Sequence, residues 1–312
     1  MTSTGTVQPG GTAATEEGLG TALPRRGASK ARRRGGWFAW IALAVVCFLW
    51  LVPSIGLLIT SFRTPESALS TGWWTVITKP FSDWTLSNYD QVLTGSTGGS
   101  TGAQSFVNSL VVSLPATIIP ILIAAMAAYA FTFMQFPARD FFFILIVGLL
   151  VVPLQVALVP LLKIYGNIGL QGTFASVWLA HAAFGMPLAI FILRGYMATL
   201  PRGVIESAKI DGASHYQTFW RLIVPMSVPA LASFAIFQFL WTWNDLLVAL
   251  VLLQDTNLGP MTMKITSLVT SFGTQYQLLT AAAFISMALP LFFFFALQRY
   301  FVQGILAGSV KG

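Results

Sequence analysis

The chain has 312 residues, of which 55% are hydrophobic and only 9% are charged, and its mean hydropathy is +0.75. Soluble domains carry about 25% charged residues, so this composition excludes a water-soluble protein and predicts an integral membrane protein. The net charge of +7 is therefore interpreted as a marker of membrane orientation, and no nucleic-acid partner is expected.

The first 36 residues are predicted to form a disordered, basic tail. They are rich in Gly, Thr and Ala and contain too little apolar surface to fold. The cluster Arg32, Arg33 and Arg34 near the end of the tail suits anionic lipid headgroups. The apolar run that follows is longer than the core of a signal peptide and is interpreted as a membrane span. It contains Cys47, the single cysteine, which excludes an intramolecular disulfide.

Six apolar stretches with almost no charge are each long enough to cross a membrane as a helix. They are residues 37–62, 106–133, 141–162, 174–193, 229–253 and 278–298. With the N-terminus inside, only four of the 17 Lys and Arg residues lie outside, namely Arg63, Lys79, Lys163 and Lys264. Because basic residues concentrate on the cytoplasmic side, both termini and the loop 198–228 are predicted to be cytoplasmic.

Residues 63–104 form the longest predicted external loop. Its aromatic residues are interpreted as a belt at the lipid headgroups, with contact to an external partner as the alternative; they are Trp73, Trp74, Trp84 and Tyr89. The run Gly98–Gly102 matches GxSxG, the pattern of a hydrolase nucleophile that follows a strand. Since it lies in a Gly, Ser and Thr sequence typical of linkers, the linker interpretation is favoured.

Ionisable residues within the spans are few. His181 lies in the fourth span and His215 in the loop 198–228, without acidic neighbours at ligand spacing, so no metal site is predicted. His181 is interpreted as a polar residue between helices, with a proton relay as the alternative. Asp245 is predicted in the outer half of the fifth span, where a water-filled cavity and an interhelical hydrogen bond remain equally open.

The chain cannot bind ATP through a phosphate-binding loop. That loop requires GxxxxGK[ST], and none of the six lysines follows a glycine. No cofactor is therefore predicted on this chain. If ATP drives its activity, ATP and Mg²⁺ must be bound by another polypeptide.

The loop 198–228 has the pattern of two short helices joined at Asp211–Gly212. The first begins after Pro201 and has an apolar flank, and the second carries apolar residues at three- and four-residue intervals; these positions are Val204, Ile205, Ala208, Tyr216, Phe219, Trp220 and Ile223. Glycine permits a sharp bend between them. The pattern fits either a knob that docks into a soluble partner or an amphipathic loop on the headgroups.

This loop resembles the EAA motif of binding-protein-dependent ABC importer permeases, EAAxxDGAxxxxxFxxIxxP. The matching residues are Glu206, Ala208, Asp211, Gly212, Ala213, Phe219, Leu222 and Pro225, where Leu222 replaces the Ile of the motif and Ser207 its middle Ala. Further likeness to the carbohydrate-uptake branch, specifically its maltose-permease-like second subunit, lies in residues 127–131, in Trp243-Asn244-Asp245 and in residues 299–312.

The resemblance implies an all-α, six-helix type I importer permease in a bacterial or archaeal plasma membrane. It implies three protein partners: a second homologous permease, a cytoplasmic ATPase dimer and an extracytoplasmic solute-binding protein. Glu206 would pair with a basic group of the ATPase, Gly212 would permit the bend, and Phe219 would fix the loop to the helix bundle. The C-terminal tail, residues 309–312, is also expected to reach the ATPase. This subunit would itself be non-catalytic.

The expected substrate is a carbohydrate, since the resemblance is to carbohydrate permeases. Aromatic faces and polar groups suit sugars, and four residues are candidates for the wall of a substrate cavity: Trp241, Trp243, Asn244 and Asp245. The alternative function is a secondary transporter driven by an ion gradient. Such a protein needs intramembrane acids or bases and usually an internal repeat.

Overall fold

The computed structural model describes residues 31–78, 83–96, 99–270 and 275–309. The described chain is predominantly α-helical. Its first helices are α1 (Ala31–Ser61), α2 (Pro65–Ser70), α3 (Ser87–Thr94), α4 (Gly102–Phe133), α5 (Arg139–Gly148), α6 (Leu154–Asn167) and α7 (Phe174–Met197). They are followed by α8 (Arg202–Ile210), α9 (His215–Thr218), α10 (Val224–Met226), α11 (Val228–Trp243), α12 (Leu247–Leu252), α13 (Met261–Thr270) and α14 (Tyr276–Ser309).

The chain divides into two compact units, Met1–Val52 and Pro53–Gly312. The described part of the first unit is helical from Ala31, inside the tail that was expected to be disordered through Gly36; residues 1–30 of that tail lie outside the described residues. The apolar side chains of this helix are exposed, including Trp37, Trp40 and Trp50. Such exposure suits lipid, because an apolar surface of this extent is costly in water.

Four of the predicted spans are single helices of sufficient length and hydropathy. They are Gly36–Ser61, Gly102–Phe133, Phe174–Met197 and Tyr276–Ala296. Two more spans are obtained if helices that are bent at a short break are counted together. The described residues thus contain four to six candidate membrane spans, and the prediction of an all-α membrane protein is confirmed.

The third and fifth predicted spans are each interrupted. The third is broken between α5 and α6, whose axes differ by 101°, because Pro153 lacks an amide hydrogen and disfavours a helical conformation at the residue before it. The fifth ends at Trp243 and resumes at Leu247. Asp245 consequently lies at a break and not inside a helix. A second bend of 73° separates α11 from the segment His215–Met226.

The centre of the second unit is formed by α4, α7 and α11, which pack against one another, while α14 packs against α11. Alanine side chains with no exposed surface occur on α4 and α7: Ala116, Ala124, Ala128, Ala180 and Ala189. Small residues allow helix backbones to approach closely, which is how membrane helices gain packing contacts.

Residues 63–104 contain α2, α3 and a 3-10 helix, Trp73–Ile77, so the described part of the predicted loop is largely helical. We call these elements together with α13 the cap. Trp84 stacks on Phe62 with ring centroids 5.3 Å apart, and the Tyr89 hydroxyl lies 2.7 Å from Ser61 Oγ. These two predicted belt residues therefore make contacts within the chain.

Two buried cations hold the cap together. Arg63 donates from Nη1 to the Thr71 carbonyl at 2.9 Å and from Nη2 to the Ser67 carbonyl at 2.6 Å and to Thr71 Oγ1. Lys264 of α13 donates from Nζ to the carbonyls of Gly95 and Ser100 at 3.0 and 2.7 Å. Both basic residues were interpreted from the sequence only as markers of the outer side.

The Gly98–Gly102 run has a structural role in the described residues. Helix α3 precedes it, where a hydrolase would place a strand. Ser100 is buried, its Oγ lies 2.7 Å from Ser105 Oγ, and Gly102 begins α4. Gly98 itself lies outside the described residues. The described part of the run is therefore a packed connection between α3 and α4, and the expectation of a flexible linker was wrong for it.

Candidate functional site

The loop 198–228 begins with α8, whose end is closed by a Schellman motif. Gly212 has φ +78°, its N–H donates to the Lys209 carbonyl at 3.1 Å, and the Ala213 N–H donates to the Ala208 carbonyl at 2.9 Å. Glycine is favoured here because a Cβ is strained at positive φ. The break expected at Asp211–Gly212 is therefore a defined turn with satisfied backbone groups.

The next helix, α9, starts at a capping box that sequence reasoning missed. Ser214 Oγ accepts from the Gln217 N–H at 3.2 Å, and Gln217 Oε1 accepts from the Ser214 N–H at 2.9 Å. The signal was present in the sequence, since Ser followed three residues later by Gln is the signature of this motif. The cap fixes the direction in which the chain leaves the turn.

Phe219 attaches the loop to the helix bundle. Its side chain is 5% exposed, and its ring lies edge-on to Tyr129 of α4 with centroids 5.5 Å apart. The Tyr129 hydroxyl also lies 2.9 Å from His215 Nδ1. The backbone widens into a π-helix over Phe219–Ile223, a feature that is frequent at functional sites. Thus α9 and the π-helix both contact the end of α4.

The tip of the loop presents large apolar side chains to its surroundings. Ile210 is 86% exposed and Tyr216 is 74% exposed, on either side of the exposed Gly212. Among the other residues of the motif, Glu206, Asp211 and Pro225 are exposed, and Ala208 and Ala213 are half-buried. An apolar tip with charged neighbours suits either a protein partner or the lipid headgroups.

A second candidate site is the pair of His181 and Asp245 beside the central helices. His181 of α7 is fully buried, its Nε2 is 3.5 Å from Asp245 Oδ2, and its ring lies edge-on to Trp241 with centroids 5.0 Å apart. Asp245 Oδ2 also accepts from the N–H groups of Val248 and Ala249 at 3.0 and 3.2 Å. The carboxylate therefore caps α12, where negative charge is favourable.

Gln238 was not singled out from the sequence, yet it connects the three central helices. Its Nε2 donates to the carbonyls of Ala116 on α4 and His181 on α7, at 3.2 and 3.3 Å. It fits there because Gly185 faces it: a Cβ at Gly185 would lie 2.5 Å from Gln238 Oε1. A buried amide that is bonded to two helices is well placed to fix their spacing.

The four predicted cavity residues have different surroundings. Trp243 is 1% exposed and donates from Nε1 to the Ser286 carbonyl at 3.0 Å. It packs in the interior, because Phe106 and Phe239 cover its ring, and it does not line an open cavity in this conformation. Trp241 and Asp245 are half-buried and Asn244 is exposed. No group of three His, Cys, Asp or Glu side chains suited to a metal occurs in the described residues.

Residues 120–307, more than half of the chain, match the family described as binding-protein-dependent transport system inner membrane component. The chain belongs to this family. The permease is therefore a membrane subunit of an ABC importer, located in the inner membrane, and it is non-catalytic because the ATPase is a partner subunit. A solute-binding protein belongs to such a transport system.

The relatives of this permease extend along most of its length. The osmoprotective compounds uptake permease protein GgtD of Synechocystis sp. is 56% identical over 274 residues, which cover 87% of this chain and 91% of GgtD. The alpha-glucoside transport system permease protein AglG of Rhizobium meliloti is 53% identical over 235 residues, 73% of this chain and 60% of AglG.

A solved structure shows that the permease shares the importer fold. A bacterial ABC transporter involved in the import of the acidic polysaccharide alginate contains a chain with a TM-score of 0.71 and 19% identity, covering 88% of this chain and 98% of that chain. The prediction of an ABC importer permease is confirmed. The orientation of the termini stays a prediction.

Proposed function

We propose that this chain is the permease subunit of an ATP-driven importer for a sugar or oligosaccharide, and that the loop 198–228 is its ATPase-docking element. The proposal on coupling is carried by one observation, the exposed apolar tip on both sides of the Gly212 turn. The proposal on substrate is supported by AglG, which is named for α-glucoside transport. An α-glucoside is therefore the first substrate class to test.

The docking element fits a cleft on a soluble partner. Ile210 and Tyr216 would be buried in the cleft, since burying side chains of this size contributes about 1.5–3 kcal/mol each. Glu206 is exposed on α8 and would pair with a basic group of the ATPase at the rim. The Schellman turn holds the two helices at a fixed angle, so little conformational entropy is lost on docking.

Movement of the docked loop would reach the helix bundle through Tyr129. This side chain contacts both Phe219 and His215, and it belongs to α4, which packs against α7 and α11. When ATP and Mg²⁺ close an ATPase dimer, its two docking clefts approach each other. The loops of this permease and of a second homologous permease would follow, and the bundles would rock between inward- and outward-facing states.

Substrate contact is proposed at the break between α11 and α12. Trp241 offers an aromatic face, and Asn244 and Asp245 offer polar groups next to it, a combination that suits a sugar. Trp243 would act by packing behind this surface. The solute-binding protein would deliver the carbohydrate to the outer side, and membrane lipid would surround the bundle.

A matched pair of glycine substitutions tests the docking role. The Cβ of a residue at position 212 or 203 would meet nothing within 4 Å, but only Gly212 has positive φ. A side chain at position 212 costs about 1–2 kcal/mol, and more when it is β-branched. This cost reduces the population of the bent conformation by a factor of about 5 to 30. Gly212→Val should therefore lower ATP-coupled uptake by about tenfold, and Gly203→Val should change it by less than about twofold.

The measurement is uptake of a labelled α-glucoside by proteoliposomes that contain the complete transporter with its binding protein. Co-purification of the ATPase with each variant reports docking directly. Equal uptake by the Gly212→Val and Gly203→Val transporters would count against the docking role. Uptake that persists without ATP and responds to an ion gradient would support the secondary-transporter alternative.

A further inference from the structure

A cavity beside α8 has a concentration of positive charge that the coupling role does not use. Its volume is about 500 Å³, and it lies where the ends of α4 and α7 meet the beginnings of α5 and α8. Four cationic side chains line it against one carboxylate, that of Glu206; the cations are Arg139, Arg194, Arg202 and Lys209.

Arg194 is the most unusual of these cations. Its Nε is buried and has no hydrogen-bond partner among the described residues, and its guanidinium carbon lies 3.9 Å from the centroid of the Phe143 ring. The position over the ring is that of a cation–π contact, which provides no hydrogen-bond acceptor oxygen. The residue as a whole is half-buried and lines the cavity, so a ligand with acceptor oxygens in the cavity would meet the charge of its guanidinium.

Two helix N-termini add to the positive potential of the cavity. Arg139 is the first residue of α5 and Arg202 is the first residue of α8, and neither helix has a side-chain cap at its start. The first N–H groups of a helix are suited to bind phosphate. Arg139 is partly neutralised, because its Nε lies 3.2 Å from Asp140 Oδ1, but that carboxylate is 73% exposed.

We propose that this cavity binds a phosphate group, carried either by an anionic phospholipid or by a soluble phosphorylated compound. The volume accommodates a lipid headgroup or a small phosphorylated molecule, and arginine binds phosphate oxygens in a two-pronged geometry. A bound phosphate would join α8 to α5 and α7 through the cations on each helix. The inference goes beyond the proposed function: the cavity shares α8 and Glu206 with the proposed docking element, but binding of a phosphate is measured on the chain without an ATPase.

The experiment uses the full-length chain in two arms. In the first, phosphatidylglycerol that stays bound after purification from a mixture with phosphatidylcholine is measured by native mass spectrometry. In the second, the midpoint of thermal unfolding is measured in sodium phosphate and in sodium chloride of equal ionic strength. Arg194→Gln is the test variant. Arg221→Gln is the matched control, because Arg221 is exposed in the same loop and does not line the cavity.

Phosphate or phosphatidylglycerol should bind about tenfold more weakly to Arg194→Gln than to wild type, as expected for the loss of a charge-assisted hydrogen bond. Binding to Arg221→Gln should equal that of wild type. Loss in the first arm identifies a phospholipid, and loss in the second identifies a soluble phosphate. Binding that is equal in wild type and Arg194→Gln, or is weakened equally by Arg221→Gln, overturns the proposal. If Arg194→Gln does not fold, Arg202→Gln at the exposed edge of the cavity applies the same criterion.

Discussion

Basic side chains occur in two regions of this permease with opposite surroundings. In the cap, Arg63 and Lys264 are buried and donate to carbonyl oxygens of the chain itself. In the cavity beside α8, Arg194 has a buried Nε without an acceptor among the described residues. A cation removed from water needs oxygen acceptors. The cap supplies them from its backbone, whereas Arg194 is half-buried on the cavity wall, where the proposed phosphate would supply them.

The largest effect on stability is expected from Lys264→Met. This substitution removes the donor that connects α13 to the carbonyls of Gly95 and Ser100, and loss of hydrogen bonds to a charged group should lower the free energy of unfolding by about 2–4 kcal/mol. Thermal unfolding of the purified chain measures it. Lys163→Met, at an exposed position of α6, is the control. Equal midpoints of thermal unfolding for the two variants would show that Lys264 does not stabilise the fold.

A smaller effect is expected from pH. Desolvation by burial lowers the pKa of Lys264 in the folded chain below its ordinary value. Between this lowered pKa and the ordinary pKa of the unfolded chain, the unfolded chain therefore binds more protons than the folded chain. The free energy of unfolding should therefore rise with pH through that window, up to about 10.4. The stability of wild type relative to Lys264→Met, measured from neutral pH upward, should increase. A decrease would show that the folded chain stabilises the charged form.

The sequence was sufficient to predict the membrane class and most of the spans, because hydropathy depends on local composition alone. It did not show the break at Pro153, since the residues on both sides are apolar and read as one stretch. The role of Asp245 was also hidden. Whether a carboxylate faces a cavity or caps the following helix depends on where the helix ends, and that depends on packing.

The site was predicted unevenly for a similar reason. The Gly212 turn and the Phe219 position follow from a local pattern. The cations of the cap could not be assigned, because Lys264 and its acceptor Ser100 are 164 positions apart in the chain. Gln238 and Arg194 acquire their surroundings only when three or four helices meet. Residues whose partners are distant in sequence were therefore interpreted only as charges, or were not singled out at all.

The smallest effect on stability is expected from Arg194→Met, and it tests the comparison most directly. The substitution removes the contact with Phe143 at 3.9 Å, which is worth about 0.5–1 kcal/mol, and methionine can still pack on the ring. Unfolding must be measured without phosphate or anionic lipid, since a bound ligand adds its own stabilisation. Under those conditions Arg194→Met should unfold close to wild type and well above Lys264→Met.

Adding phosphatidylglycerol or phosphate should then separate wild type from Arg194→Met, because only wild type retains the cation that the ligand requires. If Arg194→Met instead unfolds as early as Lys264→Met without any ligand, Arg194 is a structural cation like those of the cap. The buried Nε would then be explained by packing alone, and the basic residues of both regions would serve to stabilise the fold.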